Sequence, residues 1–119
     1  MTNQNKRVIL VTGASRGVGK GIAEGMARKG DIIICAARSQ KKGSTVQQFG
    51  FEIQSSLDET VEKINLKGAN GIAYPIDLNN QKEILKLSDY IKKEFDQLDI
   101  LVHSACQIHD DLVQPKPYW

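Results

Sequence analysis

The sequence predicts a doubly wound α/β fold built on a parallel sheet, and three observations carry that reading. Continuous apolar runs alternate with segments of helical period, and each connection is long enough to hold a helix. A glycine-rich turn lies where the first run meets the first helical segment. Runs without alternation are what strands covered on both faces require. Parallel strands joined by right-handed crossovers put helices on both faces. The expected spatial order is 3-2-1-4, with the switch point between the first and fourth strands.

Val8 to Val11 is the first apolar run, and a helix from about Gly17 to Lys29 follows, with Val18, Ile22, Ala23 and Met26 on its inner face. Gly30 stops that helix, and Ile32 to Ala37 forms a second buried strand. Residues 38–55 carry Gly43 and Gly50, show no period and read as a long loop. Ser56-Leu-Asp-Glu59 has the form of a capping box for a helix whose inner face is Leu57, Val61 and Ile64, ended by Gly68. Gly71 to Leu78 reads as the third strand; Pro75, which cannot donate to a ladder, suits the edge of a sheet. Asn80 is a further cap, followed by Ile84, Leu87, Ile91 and Phe95 at helical spacing, and Leu98 to Ala105 is the fourth strand. Residues 106–119 form an irregular tail, and the first and third helices are expected to share one face.

Composition limits the partners. A chain of 119 residues is one domain or part of one, and 40% hydrophobic with 25% charged residues is ordinary for a globular protein. A net charge of +2, with basic and acidic residues interleaved, gives no reason to expect nucleic acid or an anionic membrane; Gln40-Lys41-Lys42 reads as a solvated loop. No apolar run approaches the roughly 20 residues that cross a bilayer. The polar N-terminus, residues 1–6, leads directly into a strand and shows no signal peptide. Cys35 and Cys106 lack metal-ligand spacing, and a reducing cytoplasm fits them; Cys35, inside Ile32–Ala36, reads as a buried inert thiol.

The turn after the first strand points to an anion. Gly13 permits a tight reversal, and Gly17 and Gly19 let backbone come close, one to a ligand and the other between helix and strand. The free N–H groups and positive dipole end of the first helix point into this turn, where a pyrophosphate fits. Thr12-Gly13-Ala14-Ser15-Arg16-Gly17-Val18-Gly19 has the form Thr-Gly-x-x-x-Gly-x-Gly. That form, Asp77-Leu78 after the third strand and "LDILVHSA" at residues 98–105 together resemble the short-chain dehydrogenase/reductase family. The resemblance covers Arg7 to about Ile108 and implies a Rossmann-type domain that binds a nicotinamide dinucleotide. Cofactor contacts then fall to Gly13, Ser15, Arg16, Gly17, Val18 and Gly19 in the turn and to Arg38 beyond the second strand. Asp77 and Leu78, at the adenine, and Ser104 and Ala105, at the ribose, complete the set.

No Asp or Glu occurs from Ile32 to Phe51, where an NAD-preferring protein would hold the ribose 2′-hydroxyl. Arg16 and Arg38 instead suit a 2′-phosphate, which favours NADP over NAD. Family chemistry transfers a hydride between nicotinamide and a small-molecule alcohol or carbonyl, with a Tyr-x-x-x-Lys pair for the proton. Tyr74 is followed four places on by Leu78, Tyr90 by Glu94, and Tyr118 only by Trp119, so no catalytic residue is named. His103-Ser104-Ala105-Cys106 stands where the family usually has Asn-Asn-Ala-Gly; a neutral imidazole can replace an amide as donor and acceptor. No metal role is expected for His103 or His109. The expectation is therefore the cofactor-binding half of an NADP-dependent oxidoreductase, a fragment without turnover of its own. It would be homo-oligomeric only at full length, and its fourth strand would present an unpaired edge. The alternative is a non-catalytic NADP(H)-binding or regulatory module.

Overall fold

The computed structural model describes residues 6–38, 45–48, 51–54 and 56–105, with the side chains of 45–48 and 51–54 excepted. Residues 1–5, the Gln40–Lys42 patch, Cys106, His109 and the tail to Trp119 lie outside the described residues.

Two strands form the centre because every residue in them can be buried. β1 (Val8–Thr12) and β2 (Ile32–Ala37) are covered along their whole length. β5 (Asn70–Pro75) flanks β2, and β6 (Ile100–His103) flanks β1, giving a parallel sheet in the order β5-β2-β1-β6. These are the third, second, first and fourth strands read from the sequence, in the expected order. Pro75 ends the edge strand β5, where a missing N–H disturbs the ladder least.

The helices divide according to crossover direction. Ile9, Val11, Ile33 and Cys35 pack with Ala23 of α1 (Gly17–Met26) and with Leu57 and Ile64 of α2 (Leu57–Leu66). Val8, Leu10, Ile32 and Ile34 pack with Leu87 and Ile91 of α3 (Gln81–Phe95) on the other face. Each fully buried Ile or Leu contributes about 1.5–3 kcal/mol. The expectation that the first and third helices share a face is thereby corrected. The steps β1 to β2 and β2 to β5 run in one direction, so right-handed crossovers put α1 and α2 together. The step from β5 back to β6 reverses and carries α3 to the opposite face.

Other corrections are local. Residues 38–55 are not simply a loop: Thr45–Gln48 (β3) and Phe51–Gln54 (β4) pair antiparallel, with Thr45 opposite Gln54 and Gln48 opposite Phe51. Phe51-Glu52-Ile53-Gln54 alternates apolar and polar, the period of a strand. Val18 is 72% exposed rather than on the inner face of α1, whose buried residues are Gly19 and Ala23. That helix ends at Met26 because the Asp31 carboxylate accepts from Arg28 N–H at 3.0 Å and closes the turn. The third and fourth strands end at Pro75 and His103, short of Leu78 and Ala105; Ile76 and Asp99 N–H still donate to the Ala37 and Val8 carbonyls, and past the carboxyl ends side chains take the amides. Asp77 Oδ1 accepts from Asn79 N–H, and Thr12 Oγ1 accepts from Ser104 and Ala105 N–H. Among the described residues β6 pairs only with β1, and Leu101 on it is 57% exposed.

Candidate functional site

The turn between β1 and α1 is shaped by what its glycines lack. Gly13 and Gly17 have φ of +68° and +58°, in the left-handed region that side chains disfavour. A Cβ on Gly13 would stand 2.9 Å from the N and Cα of Ala105, so the turn lies directly against the end of β6. On Gly19 a Cβ would come within 2.1 Å of the Gly13 carbonyl oxygen, so the helix seats on the turn only without a side chain. Gly17 faces open space, with nothing within 4 Å of its missing Cβ.

The start of α1 is bare where the other helices are capped. Ser56 accepts from Glu59 N–H at the start of α2, and Asn80 accepts from Lys82 and Glu83 N–H at the start of α3; both helices carry acids in the first turn. Arg16, in the capping position of α1, gives no side-chain hydrogen bond, and no acid follows it. The amides of Gly17, Val18 and Gly19 therefore have no acceptor within their own helix. With the dipole behind them, amides so placed favour an anion.

Neighbouring elements pin this turn. Gly13 and Ala14 N–H donate to the Ala36 carbonyl at 2.8 and 3.3 Å, and Ser56 N–H donates to the Ser15 carbonyl at 3.1 Å. The Thr60 hydroxyl donates to the Ala14 carbonyl at 2.7 Å. Arg16 has a buried Nη1 without a hydrogen-bond partner among the described residues, and Arg38 is exposed directly after β2. Ser104 and Ala105 close the other side through their amides, which donate to Thr12 Oγ1 at 3.1 and 3.2 Å. The turn, Arg38, Ser104 and Ala105 thus gather at the carboxyl ends of the adjacent strands β1, β2 and β6. Asp77 and Leu78 stand apart beyond β5, with β2 between β5 and β1. Leu78 packs on the α3 side of the core, and Asp77 is exposed.

Residues 7–115 match the short chain dehydrogenase family. The chain belongs to that family. It is 33% identical over 108 residues to a 3-oxoacyl-[acyl-carrier-protein] reductase of Buchnera aphidicola, covering 91% of this chain and 38% of the relative. It is 31% identical over 114 residues to carbonyl reductase [NADPH] 1 of Mus musculus, covering 92% of this chain and 36% of the relative. Among solved structures, L-sorbose reductase of Gluconobacter frateurii in complex with NADPH and L-sorbose aligns with a TM-score of 0.64 at 25% identity. That alignment covers 86% of this chain and 34% of the reductase. The chain therefore spans between a third and two fifths of the length of these family members.

Within the described residues of this family member, no tyrosine is set up as a proton donor. Tyr74 and Tyr90 meet at a tilt of 44° with ring centroids 5.2 Å apart, and Phe95 lies edge-on to Tyr90 at 6.0 Å. Burial, then the Glu94 charge and then Tyr74 push the Tyr90 pKa up, opposite to what acid–base work near neutral pH needs. Cys35 is fully buried, and burial followed by the Glu24 charge pushes its thiol up to about 12, so it is no nucleophile. Among the described residues no group of three or more His, Cys, Asp or Glu is arranged to hold a metal. No described helix is long and apolar enough to cross a membrane. An apolar groove of about 370 Å³ lies between α3 and the sheet, lined by Leu10, Ile84, Leu87, Ile91 and Leu98, toward the amino end of β6 and away from the glycine turn.

Sequence reasoning missed two supports of the turn, Thr12 and Thr60. One signal was present: Thr60 falls between Leu57 and Ile64 on the inner face of α2, where a polar side chain must find a partner. A Thr60→Val variant is expected to lose about 1–3 kcal/mol, because the Ala14 carbonyl is left buried without that donor. A lower urea midpoint with an unchanged slope checks it.

Proposed function

We propose that this chain is the cofactor-binding part, one partial domain over residues 1–119, of an NADP-dependent oxidoreductase of the short chain dehydrogenase family. The complete protein would move a hydride between nicotinamide and a small-molecule alcohol or carbonyl. The observation that carries the reading is the uncapped, acid-free start of α1 together with a buried guanidinium nitrogen of Arg16 that has no hydrogen-bond partner among the described residues. That pairing fits a pyrophosphate at the helix and an additional phosphate at Arg16.

In this reading the amides of Gly17, Val18 and Gly19 hold the pyrophosphate, with Ser15 beside them in the turn. Arg16 and Arg38 hold the 2′-phosphate by charge-assisted hydrogen bonds. Ser104 and Ala105 form the wall along the ribose, and Asp77 and Leu78 the adenine end. The bound dinucleotide supplies the hydride; these residues supply position and charge. A location in the reducing cytoplasm is consistent with a buried free thiol at Cys35.

Fluorescence titration tests the cofactor choice. NADPH is expected to bind more tightly than NADH. Arg16→Ala and Arg38→Ala should each weaken NADPH roughly tenfold to hundredfold, the loss of a hydrogen bond to a charged group, and leave NADH unchanged. Tighter binding of NADH by the unaltered protein would refute the assignment. Residues 1–119 contain no Tyr-x-x-x-Lys, so this stretch purified alone should bind NADPH without oxidising it in the presence of ketones; a measurable rate would show that the acid–base group lies within it.

A further inference from the structure

The hydroxyl of Thr12 sits at the centre of three contacts. It accepts from Ser104 N–H at 3.1 Å and from Ala105 N–H at 3.2 Å, and it lies 3.1 Å from His103 Nδ1. A hydroxyl has two lone pairs and one hydrogen. Both lone pairs are engaged by the two amides, so the hydrogen must go to His103. Nδ1 is then an acceptor without a proton, and the ring proton resides on Nε2.

We propose that His103 is a positioning residue for the cofactor wall, and that its protonation releases that wall. The inference rests on the reading that Ser104 and Ala105 line the cofactor. Adding a proton to Nδ1 turns the acceptor that faces Thr12 among the described residues into a third donor. Thr12 Oγ1 then meets three N–H groups with two lone pairs, and its own hydrogen loses its acceptor. One of the three donors has to let go; His103 is an exposed side chain, and release of an amide rather than of the ring is the step proposed. The amides that can let go belong to Ser104 and Ala105, whose backbone stands 2.9–3.1 Å from the missing Cβ of Gly13. The end of β6 and the glycine turn therefore shift together.

β1 carries no titratable side chain, the turn carries Arg16, the first turn of α3 carries Lys82 and Glu83, and β6 is preceded by Asp99. Among the described residues none of these is bonded to His103, whose side-chain partner is Thr12. An asparagine in the same place offers an amide oxygen to the Thr12 hydroxyl and does not titrate. The His103→Asn variant is therefore the comparison that separates protonation from mere structure.

Two measurements on the intact protein decide the matter. Nitrogen-15 correlation spectra at pH ~8 should show, in the ring signals that vanish in His103→Asn, a proton on Nε2 and none on Nδ1. The imidazole range extends from pH ~5 to ~8. Calorimetric titration with NADP⁺ across it should show the wild-type affinity falling at least about fivefold more than that of His103→Asn, the low end of coupling between linked sites. The cofactor's own phosphate titrates in the same range, and the ratio of the two proteins removes its contribution. A proton on Nδ1 at pH ~8, or parallel affinity curves, overturns the inference and leaves the cofactor assignment standing. Absence of NADP⁺ binding at every pH overturns the cofactor assignment and the role of His103 with it, while the tautomer still reports on the Thr12 contact.

Discussion

Gly19→Ala is expected to lower the affinity for NADPH roughly tenfold to hundredfold and to destabilise the fold by about 1–3 kcal/mol, the usual effect of forcing a methyl group into filled space. The added carbon would lie 2.1 Å from the Gly13 carbonyl oxygen and 2.7 Å from its carbon. Both atoms are backbone, so no flexible side chain can swing aside. Either α1 lifts from the turn or the turn unwinds, and both movements displace the bare amides at the helix start. A control lies in the same helix. Gly21 has nothing within 4 Å of its missing Cβ, so Gly21→Ala should stabilise the protein by about 0.5–1 kcal/mol through helix propensity alone and leave binding intact. Denaturant midpoints and NADPH titrations on the two variants give opposite signs if close approach, rather than helix composition, is what position 19 provides. Equal binding by Gly19→Ala and the unaltered protein would remove the glycine turn from the cofactor site.

The architecture was readable because its strands are buried on both faces. Ile9, Ile33, Ile34 and Val11 have no exposed surface, and only a continuous apolar run satisfies that demand. Caps at Ser56 and Asn80 and the glycine turn were legible for the same reason: each needs a particular atom at a particular place. The side taken by α3 was misjudged although the expected strand order and crossover hand already implied it, because the reversal from β5 back to β6 shows in the whole order and in no local stretch. The hairpin of β3 and β4 escaped because each strand has only four residues, too short to raise a period above its flanks. Val18 misled because the inner face was extended into the first turn of α1, where Gly19 takes the buried position. Thr12 and Thr60 were invisible as supports because their partners, the Ser104 and Ala105 amides and the Ala14 carbonyl, are brought to them only by the fold.

Stability should fall in acid, and Asp31 should account for much of the fall. Arg7 grips this carboxylate with two parallel bonds, Nε to Oδ1 at 2.9 Å and Nη2 to Oδ2 at 2.6 Å, and also donates to the Met26 carbonyl at 3.1 Å. One cluster thereby ties the starts of β1 and β2 to the end of α1. The hydrogen bonds from Arg7 hold the Asp31 pKa below its usual value; burial opposes them, and the Arg28 amide assists. A carboxylate depressed in the folded state contributes stability that is complete above its unfolded pKa, near 3.9, and disappears as pH falls through the folded value. Asp31→Asn is therefore expected to cost about 2–3 kcal/mol at pH ~7, less than a wholly buried pair because Arg7 retains 25% exposure. As pH falls from ~7 toward ~2 the two proteins should draw together, since the unaltered carboxylate takes up its proton as pH passes through its folded value. Asp99, whose pKa is lowered first by Val8 N–H and then by Gln97, keeps some acid sensitivity in the variant. Urea midpoints at the two pH values provide the check, and an Asn variant equally destabilised at both would show that the charge of Asp31 is not what holds the three elements together.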